Sequence, residues 1–266
     1  MTVTNRHIDP IAAGELPGGL TQTARRLPAG SDWTGGVTYT PGCGTAGVWS
    51  CINDGSEKDI NAKPDPHRVD PFMVYAGFDC SGAPIMDELM VAARNVLARA
   101  VSGRLAAELV FSDPLIGNPD LTTVATDITP ATPVTLQPSI SGLLSFLTLC
   151  GGGEVMLHMP LMAIPYFEFV GIEWRYETET VGWYLGPIPV SVDQYPNLGG
   201  AAPDPDDDNA YIYMTRPVEY ELGAVIENPA FKGRTNEALA IAEQLALVRF
   251  DPCCAYAINV DFGAAP

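Results

Sequence analysis

The chain has 266 residues, 47% of them apolar, and a formal net charge of −18 at pH 7. This length and apolar content allow one large domain or two smaller ones with a sizeable core, and they argue against global disorder. The acidic balance argues against nucleic-acid binding, because a phosphate backbone needs a basic patch.

Residues 1–32 are polar and rich in Gly, Pro and Thr, with the basic doublet Arg25-Arg26, and read as an extended arm or a tail. The first residues, Met1 to His7, lack the apolar segment of a signal peptide, and no apolar run in the chain is long enough to cross a bilayer, so synthesis in a cytoplasm and no membrane partner are expected. Trp33 to Thr40 reads as a strand with Val37 and Tyr39 on one face. Pro41 to Pro66 is polar and turn-rich and carries Trp49, Lys58 and Lys63. Val69–Phe78 reads as a second strand, and the two strands together suggest a long hairpin. A lone hairpin is marginal in water, so its faces need a partner, either the chain's own core or a neighbouring subunit.

Ser81–Phe111 organises the rest. Ser81 can cap a helix, Pro84 suits its first turn, and Asp87 and Glu88 lie near the positive end of its dipole. Apolar residues recur four apart at Leu89, Ala93, Leu97, Val101, Leu105 and Leu109, a helical period. Gly103 is a weak point in it, costing about 1 kcal/mol relative to Ala. The helix either covers one core or acts as a spine joining separate parts of the protein.

Ser112–Pro138 reads as a long loop. Pro138–Cys150 reads as a short helix capped by Ser139 or Ser141 and ended by Gly151-Gly152-Gly153. Glu154–Met159 is a strand, and Pro160–Val170 a short helix interrupted at Pro165. Ile172–Thr180 and Gly182–Val192 are strands, the latter broken by Pro187 and Pro189. Gly199–Asn209 reads as an exposed acidic loop, and Tyr211–Ile226 as one or two strands. Glu237–Leu247 has high helix propensity, whereas Cys254–Phe262 alternates as a strand.

No enzyme motif appears: the nucleophile elbow Gly-x-Ser-x-Gly, a phosphate loop, His-Glu-x-x-His and a dinucleotide fingerprint are all absent. No catalytic residue, cofactor or metal site is expected. The six cysteines form no Cys-x-x-Cys pair and read as reduced structural residues, with a Cys43–Cys51 bridge as the weaker alternative. His158 sits in an apolar strand and reads as a core histidine rather than a base. The run Asp204-Pro-Asp-Asp-Asp208 lacks the spacing, turn glycine and terminal Glu of a calcium loop and reads as solvated surface.

A resemblance rests on the order of weak motifs from about Trp33 to Phe262. Trp33-x-Gly-Gly-Val with Cys43, Trp49 and Cys51, then Asp70-Pro-Phe-x-Val-Tyr-Ala and Cys80-Ser81 before the helix, resembles a group of actinobacterial phage and prophage virion proteins. Glu154-Val-Met-Leu-His-Met-Pro160, Gly186-Pro-Ile-Pro-Val190, Tyr211-Ile-Tyr-Met-Thr-Arg-Pro-Val218, Thr235-Asn236, Glu243 and Asp251-Pro-Cys-Cys254 continue the likeness. The sequence departs from it at Thr215-Arg-Pro, where Thr-Gly-Pro is expected, and at helix-prone Glu237–Leu247.

The family so resembled is that of tailed-bacteriophage major capsid proteins, whose Johnson fold is shared with encapsulins. The resemblance implies an α+β fold with an N-terminal arm (1–33) and an extended β-hairpin loop (34–78). It further implies a spine helix with the first part of a peripheral domain (79–145), a mainly axial domain (146–225), and C-terminal strands completing the peripheral domain (226–266). It implies a non-enzymatic virion protein that self-assembles, as hexamers and pentamers, into an icosahedral shell around phage DNA, without specific nucleic-acid binding. Scaffold, portal or decoration proteins would be further partners. A minor capsid, neck or tail protein, or an encapsulin-like cargo shell, is the alternative. Tyr39, Trp49, Phe72 and Tyr75 are the expected inter-subunit contacts. Some members of the family crosslink through a Lys–Asn isopeptide; Lys58 and Lys63 lie in the corresponding loop, but no Asn partner is assignable. On the same grounds Asn236–Phe250 is expected to be extended despite its helix propensity.

Overall fold

The computed structural model describes residues 19–28, 33–40, 66–81, 86–146, 154–176, 181–193, 208–232 and 237–263. Trp49, Lys58, Lys63, most of the acidic loop and the first eighteen residues lie outside them.

A short helix, α1 (Leu20–Thr23), precedes a two-residue strand, β1 (Arg25–Arg26). A 3-10 turn at Trp33–Gly35 leads into β2 (Val37–Tyr39), which pairs antiparallel with β3 (His67–Val69). The strand expected over Val69–Phe78 is in fact two. Pro71, with no N–H to give, separates β3 from β4 (Phe72–Ser81). β4 pairs with Glu237–Ala246, not with β2. Ser81 therefore ends a strand opposite Glu237 instead of capping the helix.

The long helix α2 runs from Met86 to Val110, 25 residues, with Asp87 and Glu88 in its first turn. At about 1.5 Å per residue it is about 37 Å long. Ala93, Leu97, Val101, Leu105 and Leu109 are all buried, while Leu89 is half-buried. Residues four apart advance about 40° around a helix of 3.6 residues per turn, so the buried line turns through roughly 160° from Ala93 to Leu109. A single flat layer could not cover such a line. The helix meets the sheet strands along its length, α1 midway, where Thr21 N–H donates to Ser102 Oγ at 3.3 Å, and the next helix at its end. The spine reading of Ser81–Phe111 has its geometric basis here.

The expected loop 112–138 contains α3 (Leu121–Val124), N-capped by Asp120 Oδ1 accepting from Thr123 N–H at 2.9 Å, and β5 (Thr126–Asp127). The helix expected from Pro138 begins earlier, as α4 (Leu136–Ser145) after Thr135. Ser139 and Ser141 are interior, and their hydroxyls donate back to Thr135 O and Gln137 O. Then follow β6 (Met156–Pro160), a 3-10 segment Leu161–Tyr166 containing Pro165, and α5 (Phe167–Val170), which Gly171 ends at φ 77°. β7 (Ile172–Tyr176), β8 (Val181–Leu185) and β9 (Ile188–Asp193) come next, and Gly186, at φ 58°, and Pro187 form the two-residue turn between the last two. Tyr211–Ile226 resolves into β10 (Asn209–Thr215) and the start of β11 (Glu219–Lys232), divided at Arg216-Pro217. Arg216, the departure from the expected glycine, pairs with Asp251 at 3.2 Å.

The helix-prone segment is a strand, β12 (Glu237–Arg249), and β13 (Tyr256–Asp261) closes the fold. β12 lies between β11 and β4 in a four-stranded sheet of order β1-β11-β12-β4. Pairing on both sides outweighs the local preference for helix. Its alanines, Ala238, Ala240, Ala242 and Ala246, are all buried, and this small-residue face lets α2 approach closely. The second sheet has seven strands in the order β5-β13-β10-β6-β9-β8-β7, with α4 packed on β13. Each sheet has its own core, one around Leu97, Leu105, Tyr220 and Ala242, the other around Leu143, Leu157, Phe167 and Ile212.

The architecture is α+β, as expected. Cys253 and Cys254 are disulfide-bonded, correcting the expectation of reduced cysteines at these two positions. Among the described residues no helix is long and apolar enough to cross a membrane.

Candidate assembly surface

The four-stranded sheet has two faces of different character. The inner face carries Val74 and Ala76 of β4 with the β12 alanines against α2, and Arg94 of the helix pairs with Glu227 of β11 at 3.3 Å. Alternation sends the intervening residues outward. Residues opposite one another share a face, so the register places Ile226, Glu243 and Tyr75 in one outward row and Leu239 in another beside Ala230 and Asp79.

One end of this outer face is covered by the chain itself. Trp33, Val69 and Leu247 form a small buried cluster joined by Val37, Tyr39 and Leu245. Trp33 reaches over the backbone of Gly223, beside the irregularity between Leu222 and Val225. Tyr39 Oη donates to Phe250 O at 2.7 Å. Burial, with Asp251 nearby, pushes the Tyr39 phenol up to about 12. At the hairpin's base, Gly36 has φ 89°, and a side chain there would run into Asp70, which pairs with Arg68 at 2.7 Å.

The other end is open. Tyr75 is 71% exposed, Ile226 51%, Met73 45% and Leu239 38%. Among these apolar groups Asn228 Nδ2 donates to Glu243 Oε2 at 2.6 Å. A set of apolar side chains so placed on a strand face is the kind of surface that marks an interaction site.

The four residues singled out from the sequence fall in different places. Tyr75 lies in the open patch. Phe72, on the same strand, is half-buried and packs against the core beneath the sheet. Tyr39 is anchored within its own chain, and Trp49 lies outside the described residues. Sequence reasoning missed Met73, Ile226 and Leu239. The signal that could have found Leu239 is the alanine alternation in Glu237–Leu247: once that segment is a strand, its even-numbered alanines face the helix and its odd-numbered apolar residues face outward, whereas Met73 and Ile226 are placed only by their pairing with it.

His158 on β6 is fully buried, with Nε2 2.9 Å from Thr215 Oγ1, and burial lowers its pKa to about 3. It is held neutral inside the seven-stranded sheet. Among the described residues no three His, Cys, Asp or Glu side chains are grouped to hold a metal ion.

No protein-family model and no curated protein matches the sequence. Solved structures do match the fold. The SrpI encapsulin complex of Synechococcus elongatus is similar at a TM-score of 0.62 and 10% identity, over 99% of this chain and 95% of that one. The capsid of Ralstonia phage GP4 is similar at 0.59 and 9%, over 99% and 96%. The capsid of a native GTA particle is similar at 0.59 and 13%, over 98% and 94%. At such identities the likeness is one of architecture, and on that architecture, matched from end to end, the chain has the Johnson fold of phage major capsid proteins and encapsulins.

Proposed function

We propose that the protein is a virion shell protein, many copies of which close into an icosahedral capsid around phage DNA. One observation carries this reading: the likeness to capsid structures covers nearly the whole of both chains. The open patch around Tyr75, Ile226 and Leu239 supports it, since a face of this kind is buried when copies associate. Tyr75 is the aromatic anchor of that contact, and Phe72, which lines the groove beside β4, and Trp49 are its further candidate contact residues. The arm, loop, peripheral and axial divisions inferred from the sequence belong to the same proposal, with β4 assigned to the peripheral sheet. The role requires no catalysis, and its partners are further copies, with scaffold, portal or decoration proteins added during assembly.

Electron microscopy of the full chain expressed alone tests the proposal. Closed particles of uniform diameter are the expected result, and a monodisperse monomer at high concentration is the contrary one. The encapsulin likeness supplies the second reading, a shell around protein cargo. Nucleic acid in particles purified from infected or induced cells favours the capsid, and protein cargo favours the alternative. Few copies per virion would instead indicate a minor component.

A further inference from the structure

The two edges of the four-stranded sheet differ in how they are protected. Edge strands present unpaired N–H and C=O groups that template pairing with another chain, and proteins blunt them with bulges, prolines and charges. On one side, β1 covers the start of β11 at Glu219 and Tyr220. Beyond it, β11 carries the irregularity at Leu222/Val225 and Pro229. On the other side, β4 pairs with β12 alone among the described residues. Its ten residues contain no proline, no lysine and no arginine, and one acid, Asp79. About half of them turn their N–H and C=O away from β12, as alternation in an antiparallel ladder requires.

Beside this edge runs a groove of about 810 Å³ between Phe72–Tyr75 and the last turns of α2. Its floor includes Arg104 and Ala107, and Phe111, 42% exposed, stands at its end. Arg104 is exposed and makes no hydrogen bond or ion pair among the described residues. The groove therefore offers backbone pairing along one wall, a mixed floor in which Glu108 is already bonded to Ser112, Asp113 N–H and Asn118 and in which Asp113 also lies, and one uncommitted cation, Arg104.

We propose that the free edge of β4 is a strand-addition site occupied by an extended segment of a second copy of this chain, with a carboxylate of that copy on Arg104. The backbone requirement selects an extended polypeptide, since only a strand repeats donors and acceptors at the spacing of β4. The charge favours the copy: a chain with 32 acidic and 14 basic residues carries more than two carboxylates for each basic side chain, so an extended segment of it readily brings a carboxylate to Arg104. Met73 and Tyr75 line both this groove and the open outer face, so a copy seated on one is continuous with the other. The proposal rests on the shell reading and adds to it a particular edge and mode of contact.

Hydrogen exchange read by mass spectrometry on particles and on subunits dissociated from them tests it. Amides of Phe72–Ser81 are expected to gain about tenfold or more in protection on assembly, because the outward-facing ones acquire partners. The exposed substitution Arg104→Glu is expected to raise the concentration needed for assembly by about tenfold, through like-charge repulsion, with the subunit's melting unchanged. Met73→Lys, a charge on the edge strand itself, is expected to act in the same direction. Particles whose Phe72–Ser81 amides exchange as in the free subunit would overturn the edge proposal and leave the shell reading standing. Normal assembly of Arg104→Glu would overturn the role of the cation. Failure of the unaltered chain to associate at all would overturn both readings.

Discussion

Asp70 and Asn118 exchange two hydrogen bonds: Asp70 N–H donates to Asn118 Oδ1 at 2.7 Å, and Asn118 Nδ2 donates to Asp70 O at 2.9 Å. The same Nδ2 donates to Glu108 Oε1 at 3.0 Å. Glu108 lies in the last turn of α2, near the negative end of the helix dipole, where a carboxylate is disfavoured. Three donors compensate: Asn118, Ser112 Oγ at 2.6 Å and Asp113 N–H at 3.2 Å. The junction between β3 and β4 is thus tied to the end of the spine through Asn118, 48 residues from Asp70 in sequence.

Replacing Asn118 by Ala is therefore expected to destabilise the subunit by about 2–3 kcal/mol, since it strips partners from a buried carboxylate and from the Asp70 backbone. Urea denaturation of the dissociated subunit measures this. A change within about 0.5 kcal/mol, the range of ordinary surface substitutions, would show that water replaces the amide at no cost.

Gly103→Ala is expected to act in the opposite direction. Gly103 is exposed in the middle of α2, and a Cβ there meets nothing within 4 Å. Alanine reduces the entropy lost on helix formation and should add about 0.5–1 kcal/mol. A loss of subunit stability in the same denaturation experiment would contradict the helical geometry at this position. Unchanged subunit stability with impaired assembly would show that the glycine is needed by a neighbour.

The spine and the outline of both sheets were legible because their signals are local. The four-residue apolar period marked α2, the glycine run before Glu154 marked the start of β6, and alternation marked β13. Boundaries set by tertiary pairing were not. Ser81 has a capping side chain, yet it pairs with Glu237, 156 positions along the chain. Glu237–Leu247 has the composition of a helix, and only pairing with both β11 and β4 makes it a strand; the resemblance, not propensity, anticipated that. Of the candidate contacts, Tyr75 fell in the open patch because it alternates outward on β4. Tyr39 looked equivalent in sequence but found Phe250 O within its own chain, a partner 211 residues away.

His158 predicts an acid sensitivity. Its folded pKa of about 3 lies below the ordinary 6.5, with burial as the cause. The unfolded chain therefore binds a proton between these values that the folded chain does not. Its stabilising contribution is complete above about pH 6.5 and falls by about 1.4 kcal/mol for each unit of acidification below that, until the folded pKa is reached. Replacing His158 by Gln, which can still bond Thr215, should reduce the pH-dependence of unfolding by about one proton between pH 6 and 4. Identical slopes for the two proteins would mean that His158 protonates without unfolding the sheet around it.

Tyr39 and Tyr75 separate folding from assembly. Tyr39→Phe keeps the ring in the Trp33–Val69–Leu247 cluster and removes the hydroxyl from Phe250 O, so it should cost about 1 kcal/mol of subunit stability. Because the lost bond lies within one chain, particle formation should change only as far as the subunit is weakened. Tyr75→Ser removes a ring that is already 71% exposed in the isolated subunit. Subunit stability should move by less than about 0.5 kcal/mol. In the proposed shell contact that ring is the aromatic anchor, and truncating such an anchor typically costs about 2 kcal/mol or more per contact. A small loss of this kind, repeated at every interface of a closed particle, should abolish assembly under conditions where Tyr39→Phe still assembles. Denaturant melts of subunits together with size-exclusion chromatography of the assembly reaction measure the two effects separately. Normal particles from Tyr75→Ser would move the contact surface away from the open face of the sheet, and unfolding of that variant would place Tyr75 in the subunit's own core.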